Sequence, residues 1–211
     1  MYLANSFFTI QYYVSTLLAS LTKNLIWSVK TDKKEVFLTF DDGPIPVVTP
    51  WVVETLEKYK AKATFFCVGD NVKKNQDVYQ LILDKGHKIG NHTMNHLNGW
   101  TNFNKTYFEN IEKCDNLIHS NLFRPPYGKI KPTQINYLKK KYKIIMWDVL
   151  TKDYDESLAG EDCFEKVHKN CKPGSIVVFH DSLKAEKRLR IALPKTLDYL
   201  SKEGYTFSSL Q

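Results

Sequence analysis

Two adjacent carboxylates, Asp41 and Asp42, close the apolar run Glu35-Val-Phe-Leu-Thr-Phe40 and lead into Gly43-Pro44. Gly43 admits backbone angles closed to other residues and Pro44 fixes its own, so the chain bends where the two charges stand. Neighbouring anions repel, and keeping both ionised calls for a cation or a proton donor close by. Candidates for that partner recur down the chain. Asn91-His92-Thr93-Met94-Asn95-His96 sets two imidazoles at i and i+4. On a helix both would share one face and could chelate an ion, with Asp42 or Asp41 as a third, oxygen ligand. Two imidazoles and one carboxylate leave coordination positions open, as catalytic zinc requires, although histidines that merely pack or face solvent show the same spacing. Arg124 precedes Pro125-Pro126-Tyr127-Gly128, a stiff turn that would hold Tyr127 in one place; Arg124 itself suits either a surface ion pair or a carboxylate such as Asp41. His180 ends an apolar run and reads either as a general acid/base or as a core histidine.

These groups share one sequence context: each follows a predicted strand. Residues 35–40 form the first strand and Ala63-Thr-Phe-Phe-Cys-Val68 the second, with a weak third at His87-Lys-Ile-Gly90. Leu122-Phe-Arg124, Lys143-Ile-Ile-Met-Trp147 and Ser175-Ile-Val-Val-Phe-His180 follow, and Tyr205-Thr-Phe-Ser208 closes the series. Helical spacing lies between them: a helix opened by Thr49 as N-cap with Pro50 at its first position, then helices near 71–85, over 104–119, around Ile135–Tyr142, near 161–171, and through Leu189, Leu193, Leu197 and Leu200. Strand–helix alternation predicts one α/β domain with a parallel sheet or barrel. Asp41-Asp42, His92 with His96, Arg124, Asp148 with Asp153, and His180-Asp181 then gather at the strand ends of one face, where such folds build their sites.

Bulk properties set limits. A chain of 211 residues, 43% hydrophobic and 25% charged, can bury a core of its own. The net charge of +7 favours anionic surfaces or polymers, but no nucleic-acid-binding motif accompanies it, and nucleic acid is not an expected partner. None of the four cysteines forms a Cys-x-x-Cys pair, and buried free thiols are expected. Two glycosylation sequons, Asn91-His-Thr93 and Asn104-Lys-Thr106, are short enough to arise by chance. No charged side chain precedes Lys23, yet the stretch Phe7–Leu21 is too polar for a confident membrane span and lacks the basic start of a signal peptide. Residues 1–30 are therefore set apart as an N-terminal segment, packed on the domain or membrane-proximal. The expected location is cytoplasmic or peripheral to the membrane, and the expected state is a monomer.

Together the motifs resemble those of the polysaccharide deacetylase family, carbohydrate esterase family four, over about residues 33–210. Thr39-Phe-Asp-Asp-Gly43, His92-Thr-x-x-His96 and Arg124-Pro-Pro-Tyr127 are similar to its first three motifs; Asp148 through Asp153-Tyr154 and Val178-Phe179-His180 resemble the fourth and fifth. The resemblance implies a distorted (β/α)7 barrel over residues 31–211. It also implies a metal-dependent hydrolase that removes N-acetyl groups from N-acetylglucosamine-type residues of peptidoglycan or a chitin-like glycan. Asp42, His92 and His96 would hold one divalent ion, zinc by family habit. Asp41 would be the general base, held by Arg124, and His180 the general acid, oriented by Asp153. The backbone N–H of Tyr127, beside Pro126, would steady the oxyanion. Tyr154 stands where the family usually has tryptophan and Val178 where it has leucine, so the acyl pocket is altered. An O-acetyl esterase acting on xylan-like sugars would use the same residues, and a silent glycan-binding protein would have lost a ligand or the base.

Overall fold

A computed structural model describes residues 23–211; residues 1–22, which hold most of the expected N-terminal segment, lie outside the described residues. Nine strands form the sheet: β1 (Leu25–Ile26), β2 (Glu35–Asp41), β3 (Thr64–Cys67), β4 (Lys88–Asn91), β5 (Leu122–Phe123), β6 (Lys143–Ile145), β7 (Val149–Leu150), β8 (Ile176–His180) and β9 (Thr206–Phe207). They pair in the order β1-β6-β5-β4-β3-β2-β8-β7, with β9 on the first residues of β2, and every pair is parallel. The sheet curls as a barrel does but stays open, because β1 and β7 end the pairing order without meeting. Leu25–Ile26, assigned from sequence to the N-terminal segment, instead extends the domain's sheet against Ile144 and Ile145.

Among the described residues seven α-helices cover the sheet: α1 (Val48–Lys58), α2 (Gly69–Lys74), α3 (Gln76–Asp84), α4 (Asn104–Ile118), α5 (Pro132–Leu138), α6 (Gly160–Asn170) and α7 (Glu186–Lys202). None is long and apolar enough to cross a membrane. Two expectations need correction. The helix expected near 71–85 is broken at Asn75, whose φ of −129° lies outside the helical range and whose amide donates to the Pro44 carbonyl at 2.9 Å. Thr49 does not cap α1: the helix begins one residue earlier, and the Thr49 hydroxyl accepts from the Ile45 N–H at 2.8 Å. All four cysteines are free.

The two-residue period of the strands decides what faces the site. Val36, Leu38 and Phe40 of β2, Phe65 and Cys67 of β3, and Val177 and Phe179 of β8 pack outward in one core beneath the helices. There the Phe40 ring stacks on Phe65 and Phe179, with centroids 5.0 and 5.9 Å apart. Phe37, Phe66 and Ile176 point to the other face and share a second core with Leu122 and Ile145. Thr39, Asp41, Val178 and His180 follow that second set by alternation, which places the Asp41 carboxyl and the His180 imidazole inside the curl.

Candidate active site

Asp42 is the residue that breaks the alternation. A regular strand would send it to the face opposite Asp41, but its φ of 85° turns its side chain back toward the same cleft. Buried bonds hold this costly conformation. The Gly43 N–H donates to Asp181 Oδ1 at 3.0 Å, the Val68 N–H donates to the Gly43 carbonyl at 3.0 Å, and the Asn71 amide donates to the Asp42 carbonyl at 2.7 Å. Thr49 Oγ1 completes the fastening by donating to Asp181 Oδ2 at 2.5 Å. Burial pushes the Asp181 carboxyl up to about 8, against the hydrogen bonds from Thr49 and Gly43. A Cβ on Gly43 would stand 2.0 Å from Asp181 Oδ2, with no room to move. Gly43→Ala is therefore expected to cost about 1–3 kcal/mol in urea unfolding and to lower activity with it; unchanged stability would show that the turn has slack.

The two histidines reach Asp42 from a loop. Residues 92–96 are not helical, and left-handed backbone at Thr93 (φ 65°) and His96 (φ 58°) folds the segment so that both rings converge. The two rings therefore meet through a folded loop and not along one face of a helix. The Nε2 atoms of His92 and His96 lie 3.9 and 3.3 Å from Asp42 Oδ1, and one ligand atom from each residue falls within 4.8 Å of the others. On the far side of each ring, His92 Nδ1 meets the Arg124 carbonyl at 2.8 Å and His96 Nδ1 meets the Tyr127 hydroxyl at 3.1 Å. With its proton on Nδ1, His92 presents an Nε2 lone pair to Asp42, and burial lowers this imidazole to about 4, so it stays neutral. Asp42 Oδ1 is buried and accepts no hydrogen bond. An orphaned anionic oxygen facing imidazole lone pairs is a donor set that fits a divalent cation.

Asp41 faces the opposite requirement. Burial works to raise its carboxyl, but the Arg124 guanidinium, donating from Nη1 at 2.6 Å, and the nearby histidines outweigh it and hold the group below its ordinary value. Arg124 is wholly buried. Its other donors go to Thr39 Oγ1 at 2.8 Å, the Met146 carbonyl at 3.0 Å and the Ile145 carbonyl at 3.4 Å, and its Cζ lies 4.1 Å from the centre of the Phe66 ring. The surface ion pair left open by the sequence is excluded, and the guanidinium has one geometry.

His180 is set by Asp153, which accepts from its backbone N–H at 2.8 Å and from its ring Nδ1 at 2.7 Å. Burial alone would lower the imidazole; Asp153 reverses that and raises it to about 9. Asp153 is itself positioned by Arg188, whose Nε donates to its carbonyl at 2.5 Å. Asp148, grouped with Asp153 by sequence, lies elsewhere: its carboxylate binds Ser175 Oγ at 2.9 Å and the Ile176 N–H at 2.8 Å, stitching the start of β8.

These groups open on one cleft of about 490 Å³, lined by Asp41, Asp42, His92, His96 and His180 with an apolar wall that includes Trp147, Leu150, Tyr154 and Val178. Tyr127 stands at its edge in a left-handed conformation (φ 61°) inside the turn Pro126–Gly128. The turn's own bonds use the N–H groups of Gly128 and Lys129, not that of Tyr127. Pro126 is buried beneath the turn, and Pro125 forms the cleft wall in its place. Asn71 and Arg188 had no assigned role from the sequence, Thr49 was expected only as a helix cap, and Asp181 stood out only as the neighbour of His180; the partners of all four lie far away in the chain.

The family model described as polysaccharide deacetylase matches residues 28–143. A peptidoglycan-N-acetylglucosamine deacetylase of Bacillus cereus is 36% identical over 198 residues, covering 88% of this chain and 91% of the relative. Among solved structures, a peptidoglycan N-acetylglucosamine deacetylase in complex with an N-oxidanyl-benzamide superposes with a TM-score of 0.84 at 30% identity, covering 89% of this chain and 91% of that one. A pseudoenzyme of the same carbohydrate esterase family, from Bacillus anthracis, superposes with a TM-score of 0.79 at 26% identity, covering 88% of this chain and 67% of its own. Shape alone therefore does not separate active members from inactive ones, and the residues in the cleft carry that decision.

Proposed function

Because the chain belongs to the polysaccharide deacetylase family, we propose that it hydrolyses the N-acetyl group of N-acetylglucosamine-type residues in a peptidoglycan-like glycan. The observation that carries this reading is the convergence on one cleft of a carboxylate held ionised, a cation-fitting triad and a charged imidazole. The names of the relatives support the amide and the glycan.

Asp42, His92 and His96 would hold a divalent ion, zinc by ligand type, and when bound it supplies Lewis acidity for water activation and carbonyl polarisation. Asp41, kept ionised by Arg124, takes the proton of the attacking water. The N–H of Tyr127, which the turn's own bonds leave unused, would donate to the oxygen that gains charge as the acetyl carbon becomes tetrahedral. His180, with Nδ1 committed to Asp153, donates its Nε2 proton to the sugar nitrogen as the C–N bond breaks. The products are acetate and the free amine. Val178, Leu150 and Trp147 give the acetyl methyl an apolar wall, and Tyr154 packs its ring edge-on against His180 with centroids 4.9 Å apart.

The direct test is acetate release from acetylated peptidoglycan fragments, chitooligosaccharides and O-acetylated xylooligosaccharides, after chelation and after adding back single metals. Release from N-acetyl sugars that chelation stops and zinc restores is the expected result; release from the O-acetyl sugars alone would overturn the amide assignment. His180→Ala is expected to slow amide hydrolysis by about 10²–10³-fold and hydrolysis of an activated acetyl ester far less, because an amine leaves poorly without a proton and a phenolate does not need one. Equal losses on both would remove His180 as the acid.

A further inference from the structure

We propose that the glycan is gripped by a second carbohydrate subsite beside the cleft, formed by Trp100 and Lys129, which takes a neighbouring sugar that bears a carboxylate. This rests on the cleft being a glycan deacetylase site, and it adds a substrate preference that the cleft's own residues do not specify.

Trp100 is 59% exposed, yet it is held firmly. Its indole N–H donates to the Ile130 carbonyl at 3.1 Å and its backbone N–H to Asn98 Oδ1 at 2.9 Å. The loop that carries it is clamped on both sides: Gln134 Nε2 donates to the Gly99 carbonyl at 2.9 Å, and Lys131 Nζ to the Asn102 carbonyl at 2.7 Å. Gly99 permits the contact, since a Cβ there would stand 2.5 Å from the Lys129 carbonyl. An indole is ordinarily buried for its apolar area, and one pinned by its N–H edge with a face left open offers a flat surface for stacking. The C–H face of a pyranose is a ligand of that shape.

Lys129 connects this platform to the cleft. Its Nζ lies 5.7 Å from the centre of the Trp100 ring and 6.0 Å from that of Tyr127. Tyr127 in turn lines the cleft and bonds His96 through its hydroxyl. The order outward from the catalytic groups is thus His96, Tyr127, Lys129, Trp100. Among the described residues no carboxylate forms an ion pair with Lys129, which leaves its ammonium for an anion on the ligand, in keeping with a net charge of +7. A strand alternating N-acetylglucosamine with a carboxylate-bearing sugar matches this sequence of cleft, cation and aromatic face. A neutral chitin chain would engage the aromatic face but not the cation.

Binding tests the subsite apart from turnover. An Asp41→Asn background is titrated calorimetrically, at low salt, with a tetrasaccharide alternating N-acetylglucosamine and N-acetylmuramic acid, and with the same tetrasaccharide after reduction of its carboxyls to alcohols. The acid form is expected to bind about threefold to fivefold more tightly, a preference that Lys129→Gln removes. Trp100→Leu is expected to weaken both ligands about tenfold, while Trp100→Phe, which restores a flat ring, recovers most of that loss. The proposal is overturned if the parent shows no preference for the acid, if Lys129→Gln preserves it, or if Trp100→Phe is as weak as Trp100→Leu. Acetate release by the wild type is read separately. Binding in the expected pattern without acetate release would sink the deacetylase assignment and leave the subsite standing; release with no effect of either residue on binding would do the reverse.

Discussion

Asp41→Asn is expected to lower kcat for acetate release by about 10²–10⁴-fold while leaving metal content unchanged. The substitution keeps an oxygen in place for Arg124 Nη1, now 2.6 Å from Asp41 Oδ1, but an amide takes no proton from water. Asp42, His92 and His96 are untouched, so bound metal measured by plasma emission should match the wild type. That combination separates base from ligand, two roles that sit on consecutive residues. Activity near that of the wild type would remove Asp41 as the base, and loss of metal would show that it is a ligand instead.

Arg124→Met should be the most destabilising change in the cleft, at about 3–5 kcal/mol in urea unfolding, because it strands a buried carboxylate and leaves the Thr39 hydroxyl and two carbonyls without their donor. A total stability of about 5–15 kcal/mol makes that a large fraction. The pH dependence has a definite sign. In the wild type the Asp41 carboxyl lies below its ordinary value of 3.8, so the pair's stabilisation is present above that value and is lost as pH falls through the lower folded value. Without Arg124, burial acts against ionisation with far less opposition and the carboxyl rises. The variant should then show its acid loss of activity at higher pH than the wild type. Adding Asp41→Leu to Arg124→Met should restore part of the stability, since the orphaned charge is gone. A single variant as stable as the wild type would show that the pair is not what holds these strands in register.

Much of this was legible in the residues themselves. Strand–helix alternation specified a parallel α/β domain because apolar periodicity is a local property. The motifs around Asp41-Asp42, His92 and His96, Arg124 and His180 could be recognised because each is contiguous in the chain. Less accessible were the features that depend on where distant segments meet. The spacing of His92 and His96 suggested a helix, whereas two left-handed residues in a loop, held against Asn91, Asn110 and Tyr127, bring the rings together. Asp148 and Asp153 looked alike in sequence, yet one stitches a strand and the other fixes the His180 ring, because only the second lies beside His180 in the folded sheet.

Asp41-Asp42 shows where the division falls. That two carboxylates stand at a strand end, before a residue without a side chain, is written in the chain. That they serve different partners is not: strand alternation would separate them, and the left-handed turn at Asp42 brings them back to one cleft. Asp181, nearly 140 positions away, holds that turn through the Gly43 N–H and the Thr49 hydroxyl. A buried carboxyl group accepting from a backbone amide so remote leaves no periodicity and no motif, so only the tertiary contacts could assign it.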